Sequence, residues 1–156
     1  MTISLSVPST ILNKSIISIN DLLDDYTKEE TLDTDNQWKC DKCNITVNCK
    51  KKTTFWRLSP VIIFVIKKYD FLNKLNFDFK YPIELDMNKY CINYNEDALN
   101  YKLIGSGIHS GGLNGGHYYS ICKKNSDWYM YNDTIVEKID ESDVNNTDAY
   151  CLVYRR

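Results

Sequence analysis

Ile108-His109-Ser110-Gly111-Gly112-Leu113-Asn114-Gly115-Gly116-His117-Tyr118 contains both histidines of the chain and four of its six glycines. Imidazole is the side chain best suited to moving protons near neutral pH. Glycines just before His117 remove side chains where a second backbone can approach closely. Two readings are open on spacing alone: a hairpin loop with a partly buried histidine, or a base presented beside a channel. The glycine-rich run 105–116 reads as a loop, and residues 117–122 as the strand it enters.

Downstream stands Trp128-Tyr129-Met130-Tyr131-Asn132-Asp133. A neighbouring strand carrying Asn132 can bring its amide oxygen to Nδ1–H of His117, which fixes the tautomer and leaves Nε2 for a thiol. In a regular strand Asn132 and Asp133 face opposite ways, so only one of them orients the ring. An Asn-Asp turn between strands is the plain alternative.

Working outward, residues 149–154, 135–139 and 128–131 read as short strands with turns between them. The β-branched run Val61-Ile62-Ile63-Phe64-Val65-Ile66, bounded by Pro60 and Lys67-Lys68, predicts a strand buried on both faces. Residues 77–85, interrupted by Pro82, predict an edge strand. Residues 2–11 read as one strand. Ser18 and Asp21 have capping-box spacing ahead of a helix over 19–26. The acidic stretch 28–35 reads as a solvated helix and turn. Cys40-Asp41-Lys42-Cys43 has metal-ligand spacing. The pattern predicts one α+β domain, its second half an antiparallel sheet.

An apolar content of 43% fits a folded chain, and a formal charge of −2 gives no footprint for nucleic acid. The longest apolar run is far short of the roughly 20 residues that cross a bilayer. The opening Met1-Thr2-Ile3-Ser4-Leu5 lacks a basic region before an apolar one, so no signal peptide is expected. Six dispersed cysteines then suit an intracellular, reducing setting, cytoplasm or nucleus.

His109-Ser110-Gly111, Gly115-Gly116-His117-Tyr118-Tyr119, the segment 128–133 and Asp148-Ala149-Tyr150-Cys151-Leu152-Val153-Tyr154 together resemble the histidine box and last strand of the ubiquitin-specific protease family. Asp24-Asp25-Tyr26, Cys40 with Cys43, Ser59-Pro60 with the run to Tyr69, and Tyr81-Pro82 continue the resemblance. It implies a papain-like cysteine protease fold in part. About 1–57 would form a finger-like region with a zinc knuckle, and about 58–156 the palm with the histidine box. It implies thiol-dependent cleavage after the C-terminal Gly-Gly of ubiquitin, with ubiquitin or ubiquitinated proteins as partners. By position, His117 matches the general base, Asn132 its orienting partner and Asp133 the neighbouring acid. Gly115, Gly116 and Tyr118 match contacts to the ubiquitin tail, and residues 111–116 a loop beside its channel.

The family's cysteine box, in the thumb, has no counterpart in these 156 residues. Cys122 lies an odd number of positions from His117 and points the other way in a regular strand. The chain alone is therefore expected to be inactive. On this reading the N-terminal half is truncated or separately encoded; a non-catalytic ubiquitin-binding module and a decayed remnant are the alternatives. Cys40 and Cys43 supply two of the four ligands that structural zinc takes, a half site.

Overall fold

The computed structural model describes every residue except 71–72, 93–98 and 113. Its elements, in chain order, begin with β1 (Thr2–Ser6), β2 (Ile16–Ser18) and α1 (Ile19–Tyr26). Then come β3 (Glu30–Leu32), β4 (Trp38–Lys39), β5 (Thr46–Val47), β6 (Cys49–Lys51) and β7 (Val61–Lys67). The last are β8 (Asp78–Lys80), β9 (Glu84–Asp86), β10 (Asn100–Gly112), β11 (Gly115–Lys124), β12 (Asp127–Asn132), β13 (Ile135–Ile139) and β14 (Ala149–Arg155).

The apolar strand β7 lies between β14, antiparallel to it, and β1, parallel to it. The sheet continues β14-β10-β11-β12-β13 through antiparallel pairs, with β9 paired to the start of β10. The class is α+β, with one parallel pair in an otherwise antiparallel sheet. Because β1 joins this sheet, a division near residue 57 does not separate its strands. Ile62, Phe64 and Ile66 are buried and alternate with partly exposed Val61, Ile63 and Val65. The strand is thus fully buried on one face, not both. β-branched residues suit a pleated surface on either face, so an unbroken apolar run does not report which face is covered.

α1 starts at a reciprocal cap. The Asp21 N–H donates to Ser18 Oγ at 3.2 Å, and the Ser18 N–H donates to the Asp21 carboxylate at 2.8 Å. Ile19, Leu22 and Leu23 then face the core.

Further sequence expectations change. Residues 28–35 hold no helix; β3 pairs with β6, and Lys50–Glu29 and Lys51–Glu30 ion pairs lie across it at 2.7 and 2.6 Å. Residues 77–85 are not one edge strand. The chain breaks around Pro82, with β8 pairing parallel to β2 and β9 joining the main sheet. Most of the run 105–116 is strand, because β10 and β11 pair from Gly105–Cys122 to Gly112–Gly115; Leu113 of that run lies outside the described residues. Glycine serves close packing here. A Cβ on Gly105 would sit 3.1 Å from Cys122 Sγ, and one on Gly107 3.3 Å from Cys151 Cβ. The first strand also ends at Ser6, short of residue 11.

Candidate active site

The hairpin β10–β11 presents His117 near the start of β11, and β12 ends beside it at Asn132. Nε2 of His117 is 2.5 Å from Asn132 Oδ1. An amide oxygen only accepts, so Nε2 carries a proton, and in the neutral ring Nδ1 is then the acceptor. The sequence expectation had the two nitrogens exchanged. The strand geometry corrects it: the ring extends along its own face toward the neighbouring strand, and its far nitrogen meets the amide.

Asp133 also approaches, its carboxylate 3.9 Å from the same Nε2. Strand alternation does not apply to it, because β12 ends at Asn132 and Asp133 has φ +52° in the turn that follows. Both candidate orienters therefore lie at one nitrogen, with Asn132 nearer. His117 keeps 49% of its side chain exposed. Tyr119, on the same face, stacks near it at 6.5 Å between centroids. Its hydroxyl receives the Asn146 amide at 3.0 Å, and the Asn146 N–H donates to the Tyr81 hydroxyl at 3.0 Å.

Tyr118 points to the other face and is 60% exposed. There it faces His109, its cross-strand partner, with ring centroids 4.3 Å apart. A cleft of about 330 Å³ is lined by Tyr69, His109, Gly112, Gly115, Gly116 and Tyr118. Gly116 must be glycine, since a Cβ would collide with the His109 ring and the Ser110 carbonyl oxygen. Base and cleft thus flank β11 from two sides, and Gly115-Gly116 is the side-chain-free stretch between them. Tyr69 and Asn146 are contributors that local pattern does not reveal; each arrives from a distant strand end or loop.

The cysteines stand apart from this arrangement. Cys122 packs its sulfur against Gly105, and Cys91 contacts the Trp56 carbonyl at 3.4 Å. Cys151 lies in β14, where burial pushes its thiol up. Cys40 and Cys43 flank a tight turn in which Cys40 N–H donates to Ile45 O and Asn44 N–H to Cys40 O. The Cys43 N–H and thiol and the Lys42 N–H hold the Cys40 thiol below its ordinary value. Among the described residues no group of three or more His, Cys, Asp or Glu side chains is placed to hold a metal. Two thiols do not make the four-ligand set of a structural zinc site.

The family model for ubiquitin carboxyl-terminal hydrolase matches residues 18–154. The chain belongs to the ubiquitin carboxyl-terminal hydrolase family. It is 33% identical to ubiquitin carboxyl-terminal hydrolase 9 of Arabidopsis thaliana over 147 residues, 90% of this chain and 16% of that protein. It is 36% identical to a probable ubiquitin carboxyl-terminal hydrolase of Acanthamoeba polyphaga mimivirus over 162 residues, 99% of this chain and 34% of that protein. A chain in the solved structure of the SAGA Ubp8/Sgf11/Sus1/Sgf73 DUB module bound to ubiquitin aldehyde superposes with a TM-score of 0.82 at 29% identity. That match covers 97% of this chain and 35% of the other. The chain therefore spans about a sixth to a third of the relatives named here. Among the described residues no helix is long and apolar enough to cross a membrane.

Proposed function

We propose that this segment is the base-bearing part of a thiol-dependent deubiquitinase that cleaves after the C-terminal Gly-Gly of ubiquitin. In this reading residues 58–156 act as the palm of a papain-like cysteine protease and the β3–β6 region as its finger. His117 is the general base. Its Nδ1 accepts the thiol proton, and the imidazolium returns a proton to the leaving amine. Asn132, at Nε2, holds the tautomer that makes Nδ1 basic. Asp133 adds a nearby, solvent-screened negative charge. Gly115, Gly116 and Tyr118 wall the path of the ubiquitin tail.

The observation that carries this reading is the 2.5 Å Nε2–Asn132 contact, which leaves Nδ1 of an exposed histidine without a partner among the described residues. An asparagine partner suits a thiol mechanism, because the thiolate itself supplies the negative charge facing the imidazolium. The nucleophile belongs to residues outside these 156, in a separate half or in a longer chain, and the setting is intracellular.

The test is hydrolysis of ubiquitin aminomethylcoumarin amide. The 156-residue chain alone gives no turnover. Joined to a family half carrying the cysteine box it gives thiol-dependent turnover, which His117→Ala lowers by on the order of 10⁴-fold. Turnover by the chain alone that His117→Ala abolishes would place a nucleophile within it and overturn the assignment. Undiminished turnover of the joined His117→Ala protein would remove the base.

A further inference from the structure

His117 and Asn132 meet just past the point where the sheet aligns their strands. The paired register of β11 with β12 ends at Ser120–Tyr131. Asn132 is the last residue of β12, and the turn after it opens at Asp133 with φ +52°. Ladder hydrogen bonds between β11 and β12 therefore do not set the spacing of base and amide; side chains must. One hydrogen bond at one atom leaves an imidazole that is 49% exposed free to pivot about that bond.

Tyr119 stands on the same face, two residues on from His117. Its ring lies at 25° to the imidazole plane with centroids 6.5 Å apart, within the range of offset aromatic pairs. It packs on the core, and its hydroxyl accepts from the Asn146 amide nitrogen at 3.0 Å. The direction of that amide is settled at its other end, where Asn146 Oδ1 accepts the Asp148 N–H at 2.9 Å. The Asn146 N–H donates to the Tyr81 hydroxyl at 3.0 Å, and that hydroxyl donates to the Val144 carbonyl at 2.8 Å. Tyr81 is 2% exposed, so the chain of bonds is rooted in the core. Hydrogen bonds linked in this way, away from bulk water, brace one another.

We propose that Tyr119 is a positioning residue for His117: its ring, clamped by Asn146 and through it by Tyr81, fixes the plane in which the imidazole meets Asn132, and so the direction in which Nδ1 faces the thiol. The inference rests on the reading of His117 as the base. Tyr119 touches no reacting atom. Without its hydroxyl the ring loses the clamp and can lean toward solvent, and a base moved slightly off line costs turnover and not binding.

Two measurements test it, with Tyr119→Phe and Asn146→Ala as the variants. The first, on the 156-residue chain, follows the Nε2–H proton of His117 by magnetic resonance at pH 8, where ordinary histidine is neutral. Each variant should speed its exchange with water by about threefold to tenfold, the worth of one hydrogen bond. The double variant should go no further, since both changes remove the same bond. Effects that add in the double variant would mean separate actions and overturn the clamp. Unchanged exchange in Tyr119→Phe, whatever the urea midpoint does, would reduce the bond to stability alone and overturn the proposal. Tyr119→Phe keeps the ring and its packing, so it decides even if Asn146→Ala, which also loses the Asp148 contact, fails to fold. The second measurement is hydrolysis of ubiquitin aminomethylcoumarin amide by the joined protein described above. Tyr119→Phe should lower kcat by about threefold to tenfold and leave KM unchanged. An unchanged kcat, or a change confined to KM, would overturn the proposal. If the joined protein shows no turnover, or its His117→Ala form is undiminished, the reading of His117 as the base fails on that result, and proton exchange alone then decides whether Tyr119 positions the ring.

Discussion

Residue identity matters most here where a glycine or a ring nitrogen has no room to be anything else. Gly111 has φ +115°, and a Cβ would lie 2.6 Å from both the Gly115 carbonyl oxygen and Gly116 Cα. Its neighbour Gly112 has nothing within 4 Å of the same position. Gly111→Ala should therefore cost about 1–3 kcal/mol through strain and overpacking, while Gly112→Ala should stay within about 0.5 kcal/mol. Urea midpoints of the two variants decide it, and equal midpoints would mean that the hairpin relaxes freely. At this scale the sequence was informative about which residues meet. His117, Asn132 and Asp133 do come together. It did not disclose which imidazole nitrogen takes the amide. That depends on the direction of the ring relative to β12, which is a matter of strand packing and not of spacing. Nor could it disclose that Asp133, past the strand end, escapes the alternation that would have turned it away.

At the scale of elements, legibility tracked how local the determinant was. The α1 cap lies within four residues and was legible. The Asp21 carboxyl shows its strength: burial pushes it up, but hydrogen bonds from Lys14 and from the Ser18 hydroxyl and N–H outweigh this and bring it to about 2. A carboxyl depressed in the fold contributes stability above its unfolded value near 3.8, and that contribution is lost as pH falls through about 2. Ser18→Ala should cost about 1 kcal/mol at neutral pH. The deficit should shrink in acid, where Asp21 is protonated in both proteins; a deficit constant down to pH 2 would separate the cap from the carboxylate. By contrast, β3 owes its form to β6, about twenty residues on, whose lysines pair with Glu29 and Glu30. No local window holds that information, so an acidic stretch read as a solvated helix. The Cys40–Cys43 turn is legible as a motif, but its completeness is not. With two thiolates, zinc should be stripped from this chain by dialysis against a mild chelator, far below the roughly 10–16 kcal/mol of complete sites. Stoichiometric zinc that persists in the unaltered chain and is lost in Cys40→Ser would show further ligands, from this chain or a second copy.

For the molecule as a whole, the sheet order β1-β7-β14-β10-β11-β12-β13 puts the N-terminal strand at one edge and the C-terminal strand beside β10, whose hairpin carries the candidate site. Composition and strand count made an α+β domain legible, but not the parallel β1–β7 pair, which joins segments about sixty residues apart. The junction where these segments meet carries a titratable group whose effect on the whole fold can be measured. Lys68, just past the end of β7, is 3% exposed. Its ammonium lies 4.9 and 5.1 Å from the ring centroids of Phe77 and Phe79 and donates to the Thr147 carbonyl, at the entry to β14. Burial pulls it from 10.5 down to about 8; Asp148 opposes the shift and Lys74 adds to it. Below about 8 the amine is charged in both the folded and unfolded chains, and the cost of burying that charge is fully present. Between about 8 and 10.5 the unfolded chain holds a proton that the folded chain has released, so stability rises with pH. Lys68→Met removes this term. Buried tyrosines pushed upward, Tyr90 to about 12 among them, weaken the fold in stronger alkali, but they do so equally in both proteins. Unfolding free energies measured from pH 7 to 10 should therefore show the unaltered chain gaining on Lys68→Met by on the order of 1–2 kcal/mol, once residual solvent screening is allowed for. A difference that stays flat over that interval would mean that Lys68 remains charged throughout, with the aromatic faces and the Thr147 carbonyl offsetting its desolvation in full.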